Sequence, residues 1–84
     1  LKICRNLAFM KNYNLIKARE TDLKITQEEF AKRLSMSKDA YNLKENGKRK
    51  LWINEANKII DMLNQIAEEK GLNKEFDYND IFLN

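Results

Sequence analysis

The chain has 84 residues, of which 43% are hydrophobic and 35% charged, with a formal net charge of +3. This length and composition indicate one small globular domain rather than a disordered chain. The single cysteine excludes an internal disulfide, the absence of histidine argues against a zinc site, and no apolar run approaches the roughly 20 residues that cross a bilayer. We therefore expect an all-α, cytoplasmic protein with no metal, no other cofactor and no membrane partner.

The beginning of the chain suggests an extension ahead of the domain. Residues 1–9, LKICRNLAF, precede Met10, which is followed by a helical pattern. We expect Met10 to be the natural start, or residues 1–9 to be an upstream or added segment. The first core helix is predicted over residues 12–22. Its inward side chains are Leu15, Ile16 and Ala18, and its outward ones are Lys17, Arg19 and Glu20.

Residues 26–47 predict two short helices joined by a tight turn, around which the rest of the chain is organised. Thr26 is a suitable N-cap for the first of them, and Glu29 stands where it would complete a capping box. Ile25 and Phe30 have the spacing of a hydrophobic staple. These three signals indicate the same helix start.

The turn and the second helix follow from an equally local pattern. Met36 is apolar within a polar turn, so we expect it to fill the angle between the helices. Ser37 is a suitable N-cap for a helix from about residue 38 to residue 46, and Gly47 can adopt the left-handed conformation that ends it. Ala40 and Tyr41 are expected to face the core.

A long amphipathic helix is predicted after an apolar segment at residues 51–53. Asn54 is the expected N-cap, and Lys70 with Gly71 suits the C-terminal end. Apolar residues recur at three- and four-residue steps, as one buried stripe requires. They are Ala56, Ile59, Ile60, Leu63, Ile66 and Ala67.

The C-terminal tail, residues 72–84, is unusually apolar for a chain end. Asp77 is the expected N-cap of a last short helix, with a staple between Phe76 and Ile81. Terminal residues of this kind pack against something. They either cover the bottom of the bundle, which we favour slightly, or contribute to a dimer interface. The residues of that possible interface are Trp52, Ile81, Phe82 and Leu83.

Charge is distributed unevenly along the chain. Residues 10–50 carry eleven Lys and Arg against six Asp and Glu, whereas residues 51–84 carry three against seven. The positive half contains the two short helices and the sequence KRK that follows them. A basic surface of this kind is typical of proteins that bind the phosphate backbone of nucleic acid.

Residues 26–50 resemble the helix-turn-helix of lambda-repressor-like, Cro/repressor-type (Xre-type) transcriptional regulators. The resemblance is carried by the TQEE opening, the A-x-x-L of residues 31–34, the serine at the turn and the closing ENGKRK. With the flanking helices it covers residues 10–64. It implies a compact bundle of about five short helices and a double-stranded DNA-binding regulator, similar to small phage or mobile-element repressors. Because one recognition helix reads only a few base pairs, we also expect a homodimer, at least on DNA, bound to a pseudo-palindromic operator.

Two departures from the family pattern affect the expected site. The order Leu43-Lys44 reverses the usual placement of an apolar residue directly before the glutamate of ENG. Either Leu43 joins the core, or it points at DNA while Lys44 buries only its aliphatic stem. The connection through residues 23–25 is also one residue longer than usual.

The resemblance implies two sets of DNA contacts. One positions the protein on phosphates, through Gln27, Ser37, Lys44, Asn46, Lys48, Arg49 and Lys50. The other reads bases in the major groove, through Lys38, Asp39, Asn42 and Leu43. The chemistry of these side chains would suit guanine for Lys38, cytosine for Asp39, adenine for Asn42 and a thymine methyl for Leu43. Asp39 is equally well explained as a partner of the helix dipole.

Other functional classes receive little support. The sequence contains no Ser/His/Asp set, no glycine-rich phosphate loop and no Cys/His cluster, so we expect no enzymatic activity and no small-molecule ligand. The main alternative is a protein-binding helical module, such as an antitoxin-like protein that holds its partner with the C-terminal tail.

Overall fold

The computed structural model describes residues 11–83. The expected extension over residues 1–9, Met10 and the last residue lie outside this part. All regular structure within residues 11–83 is helical, as the sequence predicts. In chain order the elements are α1 (Tyr13–Lys17), a π-helical turn (Ala18–Asp22), α2 (Gln27–Arg33), α3 (Lys38–Glu45), α4 (Ile53–Glu69) and a π-helical tail segment (Asn79–Leu83).

The π-helical turn directly continues α1. Within it, the Leu23 amide donates to the Ala18 carbonyl five residues earlier, at 2.9 Å. A π-helical turn contains one residue more than an α-helical turn. We attribute to it the additional residue ahead of α2. Lys24 then takes a left-handed conformation, with φ of 55°, and returns Ile25 to the core.

Arg19 was expected to face solvent, and this prediction is wrong. The residue lies four positions after Leu15, on the same face of the helix, and is only 3% exposed. Its charge is accepted in the interior because the carboxylate of Glu45 lies against it. The sequence predicted an outward side chain only because arginine is charged.

The predicted starts of α2 and α3 are confirmed. The Thr26 hydroxyl accepts the Glu29 amide at 3.1 Å, and the Ser37 hydroxyl accepts the Ala40 amide, also at 3.1 Å. The second half of the expected capping box does not form, because the Glu29 carboxylate turns toward Arg33, 3.9 Å away. One hydroxyl acceptor is therefore sufficient to define each helix start.

The turn between these helices also follows the prediction. Ser35 adopts a left-handed conformation, with φ of 61°, which reverses the chain within three residues. Met36 is partly buried and packs against the core in the angle between α2 and α3. After α3, Gly47 has φ of 73°, where a side chain would be strained.

The unusual order Leu43-Lys44 is accommodated by turning Lys44 inward. Lys44 is 9% exposed, and its ammonium pairs with the Glu55 carboxylate of α4. Leu43 is only half-buried and lies outside the core cluster, so the alternative that placed it in the core is wrong. In the other alternative, the burial of the Lys44 stem is confirmed, although the ammonium is paired as well, with Glu55. That Leu43 points at DNA stays a prediction.

The long helix α4 provides the largest face of the core. All six residues of its predicted stripe are buried, and Gly71 ends the helix with φ of 70°. Its predicted N-cap, Asn54, is wrong because the helix starts earlier, with Trp52 in the N-cap position. The Glu55 carboxylate accepts the Trp52 amide at 3.1 Å and so satisfies this end of the helix.

The C-terminal tail packs on the chain's own core. Phe76, Ile81 and Phe82 are all buried, and the tail segment lies against α1. Asn64 of α4 fixes the approach, since its side-chain oxygen accepts the Phe76 amide at 2.7 Å and its amino group donates to the Phe76 carbonyl at 2.8 Å. Asp77 caps the segment as predicted. Ile81 and Phe82 thus cover the bottom of the bundle, the alternative favoured above, and expose little surface for a dimer interface.

Candidate nucleic-acid interface

The outer face of α3 carries the side chains that the sequence assigns to base contacts. Lys38, Asp39 and Asn42 are exposed on it, and Leu43 is half-exposed beside them. The helix is held from behind by Tyr41, whose ring is fully buried edge-on against Phe30 of α2, with centroids 5.3 Å apart. The four outward residues thus stand on a helix whose opposite side is fixed in the core.

The segment after α3 presents a compact basic group. Lys48, Arg49 and Lys50 are all exposed. The amides of Lys48 and Arg49 both donate to the Leu43 carbonyl, at 2.8 and 3.2 Å, which ties this segment to the end of α3. The Lys50 ammonium lies 4.1 Å from the centre of the Trp52 ring, a cation–π contact. Three positive charges are therefore held next to the C-terminal end of α3.

A buried polar cluster centred on Glu45 joins α3 to the π-helical turn after α1 and to α2. The Glu45 carboxylate is 1% exposed and accepts the Arg19 Nε at 2.8 Å and the Arg19 Nη2 at 3.1 Å. It also accepts hydrogen bonds from the Tyr41 hydroxyl at 2.6 Å and from the side-chain amide of Gln27 at 2.7 Å. Arg19 donates as well to the Ile25 carbonyl at 2.9 Å. This cluster fixes the angle between the two motif helices.

Burial and charge each act on the pKa of two members of this cluster, Tyr41 and Arg19. Burial, followed by the charge of the Glu45 carboxylate, raises the pKa of Tyr41 well above its ordinary value. The hydroxyl therefore remains a donor throughout the physiological range. The pKa of Arg19 is also raised: burial alone would lower it, but the hydrogen bond and charge of Glu45 outweigh that effect. Neither group titrates near neutral pH.

A second layer of hydrogen bonds lies on the surface above this cluster. The side-chain amide of Gln27 donates to the Asn42 side-chain oxygen at 3.0 Å. The side-chain amide of Asn46 donates to the same oxygen at 2.6 Å and to the Asn42 backbone carbonyl at 2.9 Å. The structure thus brings together three residues that the sequence had assigned separately to bases and phosphates.

Comparison with known proteins identifies this arrangement. A family described as helix-turn-helix matches residues 15–71, which include the end of α1, both motif helices, the basic segment and α4. The chain belongs to the lambda-repressor-like helix-turn-helix family. This is a family of DNA-binding regulators and not of enzymes, so the protein is a DNA-binding helix-turn-helix regulator. No significant match is found among curated proteins or among solved structures.

Two residues assigned to phosphates have other roles within this helix-turn-helix domain. Lys44 is buried, and its ammonium pairs with the Glu55 carboxylate of α4. Ser37 is exposed, but its hydroxyl oxygen already accepts the Ala40 amide as the N-cap of α3. Lys44 is therefore not part of the exposed basic group, and Ser37 has only its hydroxyl hydrogen to offer a phosphate.

Sequence reasoning missed one cation at this interface. Lys24 is exposed in the loop before α2 and lines an open groove with Gln27 and Lys38, between the starts of the two motif helices. Glu20 and Glu28 line the same groove, so its charge is mixed. The signal for Lys24 was its position just before the staple residue Ile25, at the N-terminal end of α2.

Two further properties concern what the described residues lack. Between residues 11 and 83 no helix is both long and apolar enough to span a membrane. The same stretch contains no group of three acidic, cysteine or histidine side chains that could hold a metal ion.

Proposed function

We propose that this regulator recognises a specific double-stranded DNA sequence by placing α3 in the major groove. The observation that carries the proposal is the juxtaposition of three exposed polar side chains on α3 with a fixed basic group directly after it. Lys38, Asp39, Asn42 and Leu43 would read base edges. Ser37, Lys48, Arg49 and Lys50 would position the domain on phosphates, with Lys24 as an additional contact. Gln27 and Asn46 already donate both of their side-chain N–H groups within the domain, so their side chains would support α3 rather than contact phosphate.

The way α3 is held in the domain favours sequence-specific DNA binding over non-specific binding. Phosphate contacts alone give affinity without selectivity, and they require only the basic group. The side chains on α3 are instead held on a helix whose rear face is anchored through Tyr41 and the Glu45 cluster. Sites built on rigid helices are more precise than sites on loops, which favours contacts between these side chains and the bases themselves.

We further propose a small repressor of the phage or mobile-element type that binds as a homodimer. One helix reads few base pairs, whereas two copies related by a twofold axis read half-sites about one helical turn apart. Trp52 and Ile53 are 59% and 52% exposed and follow the basic group directly, which favours them as the contact between copies. Leu83 is the one tail residue of the earlier interface that stays exposed.

The partner-binding alternative has lost its main support. It depended on an apolar C-terminal tail free to hold another protein, and Phe76, Ile81 and Phe82 are buried in the chain's own core. The DNA-binding proposal does not depend on this tail.

The experiment that tests the proposal is selection of bound sequences from a random DNA pool, followed by titration of the best site at several salt concentrations. Enrichment of a pseudo-palindrome with half-sites about one turn apart, and a steep loss of affinity with salt, are expected. Binding that is equally strong to all sequences would contradict base reading by α3. Enrichment of a single half-site by a monomer would contradict only the dimer.

A further inference from the structure

Asn42 has both acceptor positions of its side chain occupied. An asparagine amide offers an oxygen with two lone pairs and an amino group with two donors. The Asn42 oxygen accepts one hydrogen bond from Gln27 at 3.0 Å and one from Asn46 at 2.6 Å. Only the amino group is left to face outward from the exposed side of α3.

The orientation of this amide follows from its neighbours. Oxygen and nitrogen of an amide are assigned from the hydrogen-bond network, so each must be fixed by a partner of known type. The Gln27 nitrogen lies 2.7 Å from the Glu45 carboxylate, which only accepts. The Asn46 nitrogen lies 2.9 Å from the Asn42 backbone carbonyl, which also only accepts. Both neighbours therefore present donors, so the Asn42 side-chain oxygen must accept a hydrogen bond from each of them.

We propose that Asn42 is a donor-only reading group that selects guanine, and not adenine, in the major groove. The inference rests on the proposed function, because it specifies what one side chain of the α3 surface reads. Pairing of asparagine with adenine requires its oxygen to accept the N6 amine while its amino group donates to N7. Guanine instead presents two acceptors, O6 and N7. The adenine pairing expected for Asn42 from its residue type is replaced by this assignment.

The surrounding network opposes the alternative orientation. If the Asn42 oxygen turned to an adenine amine, one N–H of Gln27 and one of Asn46 would lose their acceptor, since each nitrogen uses its other N–H elsewhere. Two hydrogen bonds would be given up to form one. The Glu45 cluster thus determines the specificity of Asn42 through Gln27, although Glu45 itself is buried away from DNA.

The test compares the wild-type protein with Asn42→Asp in selection from a random DNA pool. Aspartate has the same shape, so one oxygen still accepts from Gln27 and Asn46, while the outward group changes from a donor to an acceptor. The expected result is a change from guanine to cytosine, whose N4 amine donates, at a single position of each half-site. The preference for the matching base should be roughly 5- to 150-fold, as for other good base contacts.

A second variant and a charge control complete the design. Gln27→Met combined with Asn46→Ala frees the Asn42 oxygen, so adenine should become accepted at the same position. Asn73→Asp carries the same charge change on an exposed residue after α4 and should leave every base preference unchanged. Circular dichroism verifies that each variant is folded.

The outcomes separate this inference from the proposed function. Adenine at the responsive position in wild-type selections, or a motif that Asn42→Asp leaves unchanged, would overturn the donor-only assignment while leaving sequence-specific binding intact. Failure of the wild-type protein to enrich any motif would overturn the proposed function and the assignment with it.

Discussion

Glu45→Gln tests whether the buried cluster holds the helix-turn-helix together. The substitution preserves the shape of the side chain but removes the charge that balances Arg19. The two groups are 3% and 1% exposed, so solvent cannot compensate. Removal of one partner of a buried ion pair typically costs about 3–5 kcal/mol. Four donor groups also converge on the carboxylate, and a glutamine has only one oxygen to offer them.

The predicted loss is large compared with the stability of such a domain. At about 0.05–0.15 kcal/mol per residue, a chain of this size has a free energy of unfolding of roughly 4–13 kcal/mol. Urea unfolding followed by circular dichroism would therefore show a strongly destabilised Glu45→Gln protein, with a decrease of about 3–5 kcal/mol.

The same arginine provides a matched control. Glu20 also pairs with Arg19, at 3.1 Å, but is 59% exposed. Glu20→Gln should lower the free energy of unfolding by less than about 1 kcal/mol, as for exposed pairs generally. Equal effects of the two substitutions, or a Glu45→Gln protein as stable as the wild type, would refute the structural role of the buried cluster.

Three further predictions concern DNA binding, acid stability and self-association. Lys38→Ala should relax base preference at one position, at a cost of about 1–3 kcal/mol in binding free energy. Lys48→Ala should instead weaken binding to all sequences alike and flatten its salt dependence. Competition titrations on operator and random DNA measure both effects. Burial alone would raise the pKa of Glu55, but the hydrogen bond from Lys44 lowers it below its ordinary value of 4.5. Because the folded-state pKa is lowered, the pair stabilises the fold fully at pH values above the ordinary, unfolded-state pKa of Glu55. This contribution is lost as pH falls through the folded-state pKa. Lys44→Met should therefore make the free energy of unfolding, measured by urea titration, less dependent on pH on the acid side. Trp52→Ser should weaken self-association in sedimentation equilibrium without unfolding the protein, because serine also suits the N-cap position.

Each of these predictions has a contradictory outcome. Equal losses on operator and random DNA for both lysine variants would remove the division between reading and positioning. An unchanged acid dependence in Lys44→Met would show that its contact with Glu55 contributes no stability. Tyr13→Ser provides the control for Trp52, since Tyr13 is 70% exposed on α1. If both variants associate like the wild type, the dimer surface lies elsewhere.

The features predicted correctly from sequence are those that depend on local signals. Thr26 and Ser37 each cap a helix with their own hydroxyl, and Gly47 and Gly71 occupy left-handed positions. The α4 stripe was correct because a period of three to four residues already specifies which side is buried. None of these requires knowledge of the tertiary fold.

The errors about buried charges involve partners that are distant in sequence. Arg19 is buried because Glu45, 26 positions later, neutralises it, and Lys44 is buried because Glu55 does the same from α4. The orientation of Asn42 depends on Gln27, 15 positions earlier. Charge pairing across helices cannot be derived from the pattern of one helix, so the interior polar contacts of this domain required the structure.

The central claim is that the outer face of α3 and the basic segment after it form the DNA-contacting surface. Titration of the isotopically labelled protein with its selected operator, followed by amide chemical shifts, tests this claim directly. We expect the largest shifts to cluster on Gln27, on residues 38–43 and on residues 48–50, while the tail segment Asn79–Leu83 is unaffected. Shifts concentrated on the tail and on the exposed side of α4, with α3 unchanged, would contradict it.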